Sequence, residues 1–207
     1  RAWPSPRLSP DPNNEHLAGA HKEGPPVTEL ALITDTLARW VRERPDREAL
    51  RFGDQHWTWA ELGRRVAKAA GALHAGGLAP GARIAVLDLN HPTCIELTLA
   101  CAHVGTVNTV VNFRLAPAEV AYVINDAEAE LLFAGPEFAP VVEGLAGKLP
   151  SVRRVIRVGG PDDEYESWLA AEPDPDVRVA APDDCFLQLY TSGTTGFPRA
   201  RCSPTAA

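Results

Sequence analysis

From Arg83 onward the chain alternates short apolar, β-branched runs with longer stretches of helical periodicity, and few folds accommodate that order. The runs are 83–87, 106–112, 130–134, 153–158 and 185–191, and helical patterns occupy 93–103, the stretch opened by Pro117, 138–149 and 162–171. A run of this kind has no polar face to offer water, so it belongs in a sheet covered on both sides. Parallel neighbours need a crossover of about a dozen residues, which the helical stretches supply. The expected fold class is therefore α/β, a doubly wound and largely parallel sheet with helices on both faces. No repeat of fixed period appears.

Two helices are expected ahead of this core. Leu30, Ile33, Leu37, Trp40 and Val41 recur at three- and four-residue intervals until Pro45. Thr58 and Glu61 form a capping box, and Leu62, Val66, Ala69, Ala70 and Leu73 continue one stripe as far as Gly76-Gly77. Residues 1–27 contain six prolines and few large apolar side chains, which predicts a disordered tail.

At 207 residues the chain is long enough for a substantial core, and 45% hydrophobic with 23% charged residues is ordinary for a globular protein. The net charge of -7 has the wrong sign for nucleic acid or an anionic membrane surface, so neither is expected as a partner. Residues 159–184 hold nine carboxylates and one cation, Arg178, a segment charge of -8 that leaves the remainder at +1. This acidity reads as a solvated helix face and linker. The seventeen uncharged residues 97–113 fall short of the ~20 needed to span a bilayer. They also include Thr98, His103, Asn108 and Asn112, so they read as core, with no integral membrane association. The Pro-rich N-terminal stretch lacks the apolar segment of a secretory signal, and a cytoplasmic location is expected. Cys94, Cys101, Cys185 and Cys202 form no Cys-x-x-Cys pair and are expected as reduced thiols, the first two on one helical face as packing. The histidines show no ligand spacing, so no metal site is assigned, and His91 and His103 read as packing or capping residues. The chain contains no Met, from which a trimmed start or a fragment is expected.

Chemistry concentrates immediately after the last apolar run, in Ser192-Gly193-Thr194-Thr195-Gly196-Phe197-Pro198-Arg199. Glycines let several backbone N–H groups converge on one point, hydroxyls add neutral donors, and a cation completes a cradle for phosphate oxygens. A loop in this place lies beyond the carboxyl end of a strand, where open α/β sheets bind ligands. Only Thr194 and Thr195 separate Gly193 from Gly196, so the Walker P-loop spacing is not met, and no Gly-x-Gly-x-x-Gly follows the early strands. By composition alone such a segment is usually only a turn.

The string from Tyr190 to Arg199 resembles the phosphate-loop signature of the AMP-forming adenylating superfamily, which includes acyl-CoA synthetases, peptide-synthetase adenylation domains and luciferases. Thr58-Trp59-Ala60-Glu61-Leu62, then Gly81 to Val86, then Asn112-Phe113-Arg114-Leu115 with Glu119, follow the order and spacing of that family's N-terminal part. The resemblance covers about residues 30–200, and residues 28–200 are taken as a partial N-terminal AMP-binding domain. It implies ATP, Mg2+ and coenzyme A as cofactor and co-substrates, and a carboxylate, expected to be a fatty acid, as partner. The carboxylate attacks the α-phosphate of ATP, and a thiol then takes the acyl group. Thr191, Ser192, Gly193, Thr194, Thr195, Gly196 and Arg199 are the implied phosphate-binding residues. Their role is electrostatic, holding the leaving pyrophosphate as charge develops.

Arg199 stands where the family usually has Lys, and Ala200 where it has Gly; Arg keeps the charge but as a planar fork. Residues 201–207 no longer resemble the family and are read as a divergent tail. The family's Mg-binding glutamate, acyl pocket and catalytic lysine lie downstream of the matched part, so no catalytic residue is assigned, while Asn112 and Arg114 read as structural. The leading expectation is the N-terminal part of a fatty-acid-type acyl-CoA synthetase, inactive alone. The alternatives are a regulatory pseudoenzyme or frameshifted fragment and, third, an unrelated nucleotide-binding module.

Overall fold

The computed structural model describes residues 32–170, 180–191 and 199–205. The Pro-rich stretch 1–27 lies outside them. In chain order the elements are α1 (Ile33–Glu43), β1 (Glu48–Phe52), β2 (Gln55–Thr58), α2 (Trp59–Ala75), β3 (Arg83–Leu87), α3 (Pro92–Val104), β4 (Val107–Val110), α4 (Pro117–Asp126), β5 (Leu131–Ala134), α5 (Ala139–Gly144), β6 (Arg154–Arg157), α6 (Tyr165–Trp168), β7 (Cys185–Thr191) and β8 (Arg199–Pro204).

The main sheet has the order β6-β5-β3-β4-β7-β8, in which β6 to β7 run parallel and β8 pairs antiparallel with β7. Successive side chains point to opposite faces, and each face has its own helices. Ile84, Val86, Leu131, Phe133 and Ile156 pack with Leu62, Val66 and Leu73 of α2, Leu97 and Cys101 of α3 and Tyr165 of α6. Ala85, Leu87 and Leu132 pack with Val120, Val123 and Ile124 of α4 and with Leu145. The sheet is thus doubly wound; β5 and residues 84–87 of β3 are apolar because both faces are dry, whereas β4 buries Asn108 and Thr109.

Local chemistry fixes the helix ends. The backbone N–H of Thr58 donates to Glu61 Oε2 at 2.7 Å, and that of Glu61 donates to Thr58 Oγ1 at 3.2 Å, the reciprocal box expected at the start of α2. His91 caps α3, its Nδ1 accepting from the Thr93 N–H at 3.3 Å, and Gly105 ends that helix at φ 73°. His103 lies half-buried in the last turn of α3, where burial lowers its pKa.

Three local expectations change, and one element appears where none was expected. An antiparallel hairpin, β1–β2, precedes α2, turning at Gly53 with φ 57°. The helix expected over 138–149 is a 3-10 turn at Pro136–Phe138 followed by α5, which stops at Gly144, with Gly147 at φ 74° just beyond. The helix expected over 162–171 is the single turn α6, since Gly159 and Gly160 at φ 72° and then Pro161 keep the chain irregular ahead of it. Cys185 and Cys202 are joined as a disulfide, with Cα atoms 5.8 Å apart, rather than being free thiols. The reason is β8: residues read as the edge of a tail pair with β7 and carry Cys202 to its partner. Cys94 and Cys101 are free, and burial pushes the Cys101 thiol up to about 12.

Candidate functional site

β7 runs parallel to β4, so its last residue, Thr191, lies at the carboxyl edge of the sheet, and the chain returns along β8 from Arg199. Thr191 pairs with Arg199 and Tyr190 with Ala200, so the two flanks of the Gly/Ser/Thr segment stand opposite each other in one ladder. Of the residues assigned to phosphate binding, Thr191 is exposed at the strand end and Arg199 opens β8. Ser192, Gly193, Thr194, Thr195 and Gly196 lie outside the described residues. Asn112 Oδ1 accepts from the Arg114 N–H at 3.0 Å.

Beneath the hairpin's mouth is a polar chain that the sequence reading missed. Arg83 Nε donates to Gln188 Oε1 at 3.0 Å, Gln188 Nε2 donates to the Tyr190 hydroxyl at 3.0 Å, and that hydroxyl donates to Asp126 Oδ2 at 2.7 Å. Burial raises the Tyr190 pKa, and the hydrogen bond to Asp126 and its charge raise it further. The available signal was spacing: Gln188 and Tyr190 are two apart, so an otherwise apolar strand carries a polar pair on one face.

A second feature marks the carboxyl edge. β3 is flanked by β4 and β5, and the crossovers leading to them leave in opposite directions, the condition that opens a crevice in a parallel sheet. Asp88 sits there, half-buried, its Oδ1 accepting from the Leu89 N–H at 2.6 Å, and burial raises its pKa. A Cβ at Gly135, after β5, would come within 2.7 Å of Asp88 Cγ, so a larger residue here would have to displace the Asp88 side chain. Beyond β5 and β6 lies a cavity of about 520 Å3 lined by Gly135, Pro136, Val142, Arg157 and Glu164.

On the opposite face Arg65 joins three elements. It donates through Nε to Glu96 and through both terminal nitrogens to Glu166, at 3.1 and 2.6 Å, while the Tyr165 hydroxyl donates to Glu96 Oε2 at 2.8 Å. Burial alone would lower the Arg65 pKa, but the two carboxylates outweigh it and raise it. Among the described residues no group of three or more His, Cys, Asp or Glu side chains could hold a metal ion. Nor is any described helix long and apolar enough to cross a membrane.

The family profile described as AMP-binding enzyme matches residues 37–200. A feruloyl-CoA synthase from Amycolatopsis sp is 40% identical over 161 residues, covering 78% of this chain and 31% of that protein. A long-chain-fatty-acid–CoA ligase from Thermus thermophilus is 37% identical over 155 residues, covering 72% of this chain and 28% of that protein. The chain thus spans about a third of the length of these curated relatives, whose names include an aromatic and a fatty acid. Among solved structures, the N-terminal domain of FACL13 from Mycobacterium tuberculosis superposes with a TM-score of 0.76 at 27% identity, covering 84% of this chain and 44% of that one.

Proposed function

The chain belongs to the AMP-binding enzyme family, and from that premise we propose that it is the phosphate-loop-bearing N-terminal part of an AMP-forming acid–thiol ligase. In that reaction a carboxylate oxygen attacks the α-phosphorus of ATP, the bond to the bridging oxygen breaks, and pyrophosphate leaves. The acyl-adenylate then gives its acyl group to the thiol of coenzyme A with release of AMP. ATP and coenzyme A are substrates, and Mg2+ arrives on the phosphates. No residue of this chain is assigned as its ligand. The acid is proposed to be a fatty acid. The protein is proposed to be cytoplasmic.

The observation that supports this reading is the Thr191–Arg199 pair. It presents the two ends of the Gly/Ser/Thr segment side by side at the carboxyl edge of a parallel sheet. Backbone N–H groups of 191–196, with the Thr and Ser hydroxyls, supply donors toward the β- and γ-phosphates, and Arg199 supplies the cation. Such donors stabilise the charge that builds on the leaving pyrophosphate and need no covalent step.

The test is calorimetric titration of the 207-residue chain with magnesium pyrophosphate, set beside Gly193→Val and Arg199→Ala. Binding is expected, abolished by the β-branched residue and weakened about tenfold by loss of one charge-assisted contact. Carboxylate-dependent ATP–pyrophosphate exchange is expected to be absent from these 207 residues alone, because proximity of acid and α-phosphate is worth ~7 to 11 kcal/mol and a phosphate-holding loop does not by itself align that pair. Equal binding by all three proteins would remove the phosphate role from this loop.

A further inference from the structure

We propose that Asp126, Gln188 and Arg83 act through Tyr190 as positioning residues for the phosphate-holding mouth of the β7–β8 hairpin. The inference rests on the reading of that loop as a phosphate cradle and adds to it the device that aims it.

Two side chains meet on the Tyr190 hydroxyl, Gln188 from its own strand and Asp126 from α4, and Arg83 of β3 holds the Gln188 amide from behind. Tyr190 immediately precedes Thr191, and its ladder partner Ala200 immediately follows Arg199, so fixing Tyr190 fixes both flanks at once. The direction of every hydrogen bond is determined. Arg83 can only donate, so the Gln188 amide must turn Oε1 toward it and Nε2 toward Tyr190. The Tyr190 oxygen, having accepted from Nε2, must send its own hydrogen to Asp126. The chain runs from a cation on β3 to an anion on α4 with no second arrangement of hydrogens, and it ends in a charge-assisted bond, the stronger kind.

The relay also sits where packing alone would not place it. Gln188 is 7% exposed beside the buried Thr109, its ladder partner, and an amide buried there is unfavourable unless its polar atoms are satisfied. Asp126 is the last residue of α4, the end at which the helix dipole disfavours an anion. Two locally unfavourable choices meet on the residue next to the loop. A single hydrogen-bond network explains both, because a half-satisfied network would be worse than an apolar one.

The experiment is titration with magnesium pyrophosphate of the wild-type chain, Tyr190→Phe, Asp126→Ala, Asp126→Asn and the double variant Tyr190→Phe/Asp126→Ala, with a thermal midpoint for each. Tyr190→Phe and Asp126→Ala are each expected to weaken binding about tenfold, and the double variant no further, since both break one link. Asp126→Asn, whose carbonyl oxygen still accepts from the phenol, is expected to restore most of the affinity. Wild-type binding that persists unchanged in Tyr190→Phe and Asp126→Ala, whatever their midpoints, overturns the relay and leaves the loop reading standing. Additive losses overturn it as well. Absence of binding by the wild type overturns the loop reading and the relay with it. Should Asp126→Ala fail to fold, Tyr190→Phe, which removes one oxygen, decides alone.

Discussion

Replacing Arg65 by Met tests how the α2, α3 and α6 side of the sheet is held. The Glu96 side chain is 1% exposed and accepts from Arg65 Nε and from the Tyr165 hydroxyl. Met keeps most of the apolar stem of Arg65 and removes the guanidinium, leaving a buried carboxylate with one neutral donor. Two opposite charges about 4 Å apart attract by ~4 kcal/mol at an effective dielectric of ~20. Breaking one buried pair by removing a single partner costs about 3 to 5 kcal/mol. The outer pair adds little, because Glu166 is 59% exposed and solvent screens it to ~0–1 kcal/mol. For a domain of this size such a loss lowers the melting midpoint by about 6 to 20 °C. Urea unfolding followed by tryptophan fluorescence reads it directly, since Trp168 stacks on Tyr165 with ring centroids 5.6 Å apart. Adding Glu96→Gln to Arg65→Met should recover most of the loss, because a neutral amide still meets the Tyr165 hydroxyl. A loss below about 1 kcal/mol in the single variant, or no recovery in the double one, would refute the assignment of Glu96 as a buried charge held by Arg65.

Three further outcomes follow from single sites. Burial raises the Asp88 pKa above its ordinary 3.8, so the folded state takes up the proton more readily and this carboxylate costs stability at neutral pH. Asp88→Asn should therefore be more stable than wild type at pH 7, with the gap closing as the pH falls through the raised value toward 3.8; an unfolding series across that range checks it. Thr58→Ala removes the side-chain half of the α2 capping box and should cost ~1 kcal/mol in urea unfolding, while Thr58→Ser should cost less. Non-reducing peptide mapping should find Cys185 linked to Cys202 with Cys94 and Cys101 free, and reduction should speed amide exchange in β8 more than in β3.

The parts of the fold that could be read from the sequence are those decided by local chemistry or by complete burial. Arg83–Leu87 was recognisable as a strand because Ile84, Ala85, Val86 and Leu87 are all buried, which leaves an unbroken apolar run. The start of α2 was recognisable because Thr58 and Glu61 satisfy each other's backbone within four residues. The β1–β2 hairpin was not, since its strands are exposed or only partly buried and Phe52 faces solvent, so no alternation marks them. The disulfide was illegible because it depends on β8, whose residues Arg201-Cys202-Ser203 carry no periodic pattern of their own. The candidate site divides in the same way. The loop announced itself as a contiguous string, whereas Arg83 and Gln188 are 105 residues apart and Asp126 and Tyr190 are 64 apart, separations that only the crossovers of the sheet bring together.

These separations bear on why the hairpin needs anchoring at all. Among the described strands β8 has one neighbour, β7, and residues in an edge strand are held by a single ladder. The helices that cover β3 and β5 contribute nothing comparable at Leu189, which is 42% exposed. Packing fixes the central strands, and the ladder to β4 holds β7 from Leu187 to Leu189, one residue short of Tyr190. Two side-chain ties add to that ladder, and they act at different places. The Cys185–Cys202 bridge ties the base of the hairpin, and the Tyr190 relay ties it beside Thr191, five residues further along β7 or about 16 Å of strand. The bridge limits how far β8 can separate from β7, and the β4 ladder ends at Leu189, before Tyr190 and Thr191. The hydroxyl at Tyr190 extends the hold by that one residue, because it ties the strand to α4, a helix that the core itself has fixed through Val120, Val123 and Ile124.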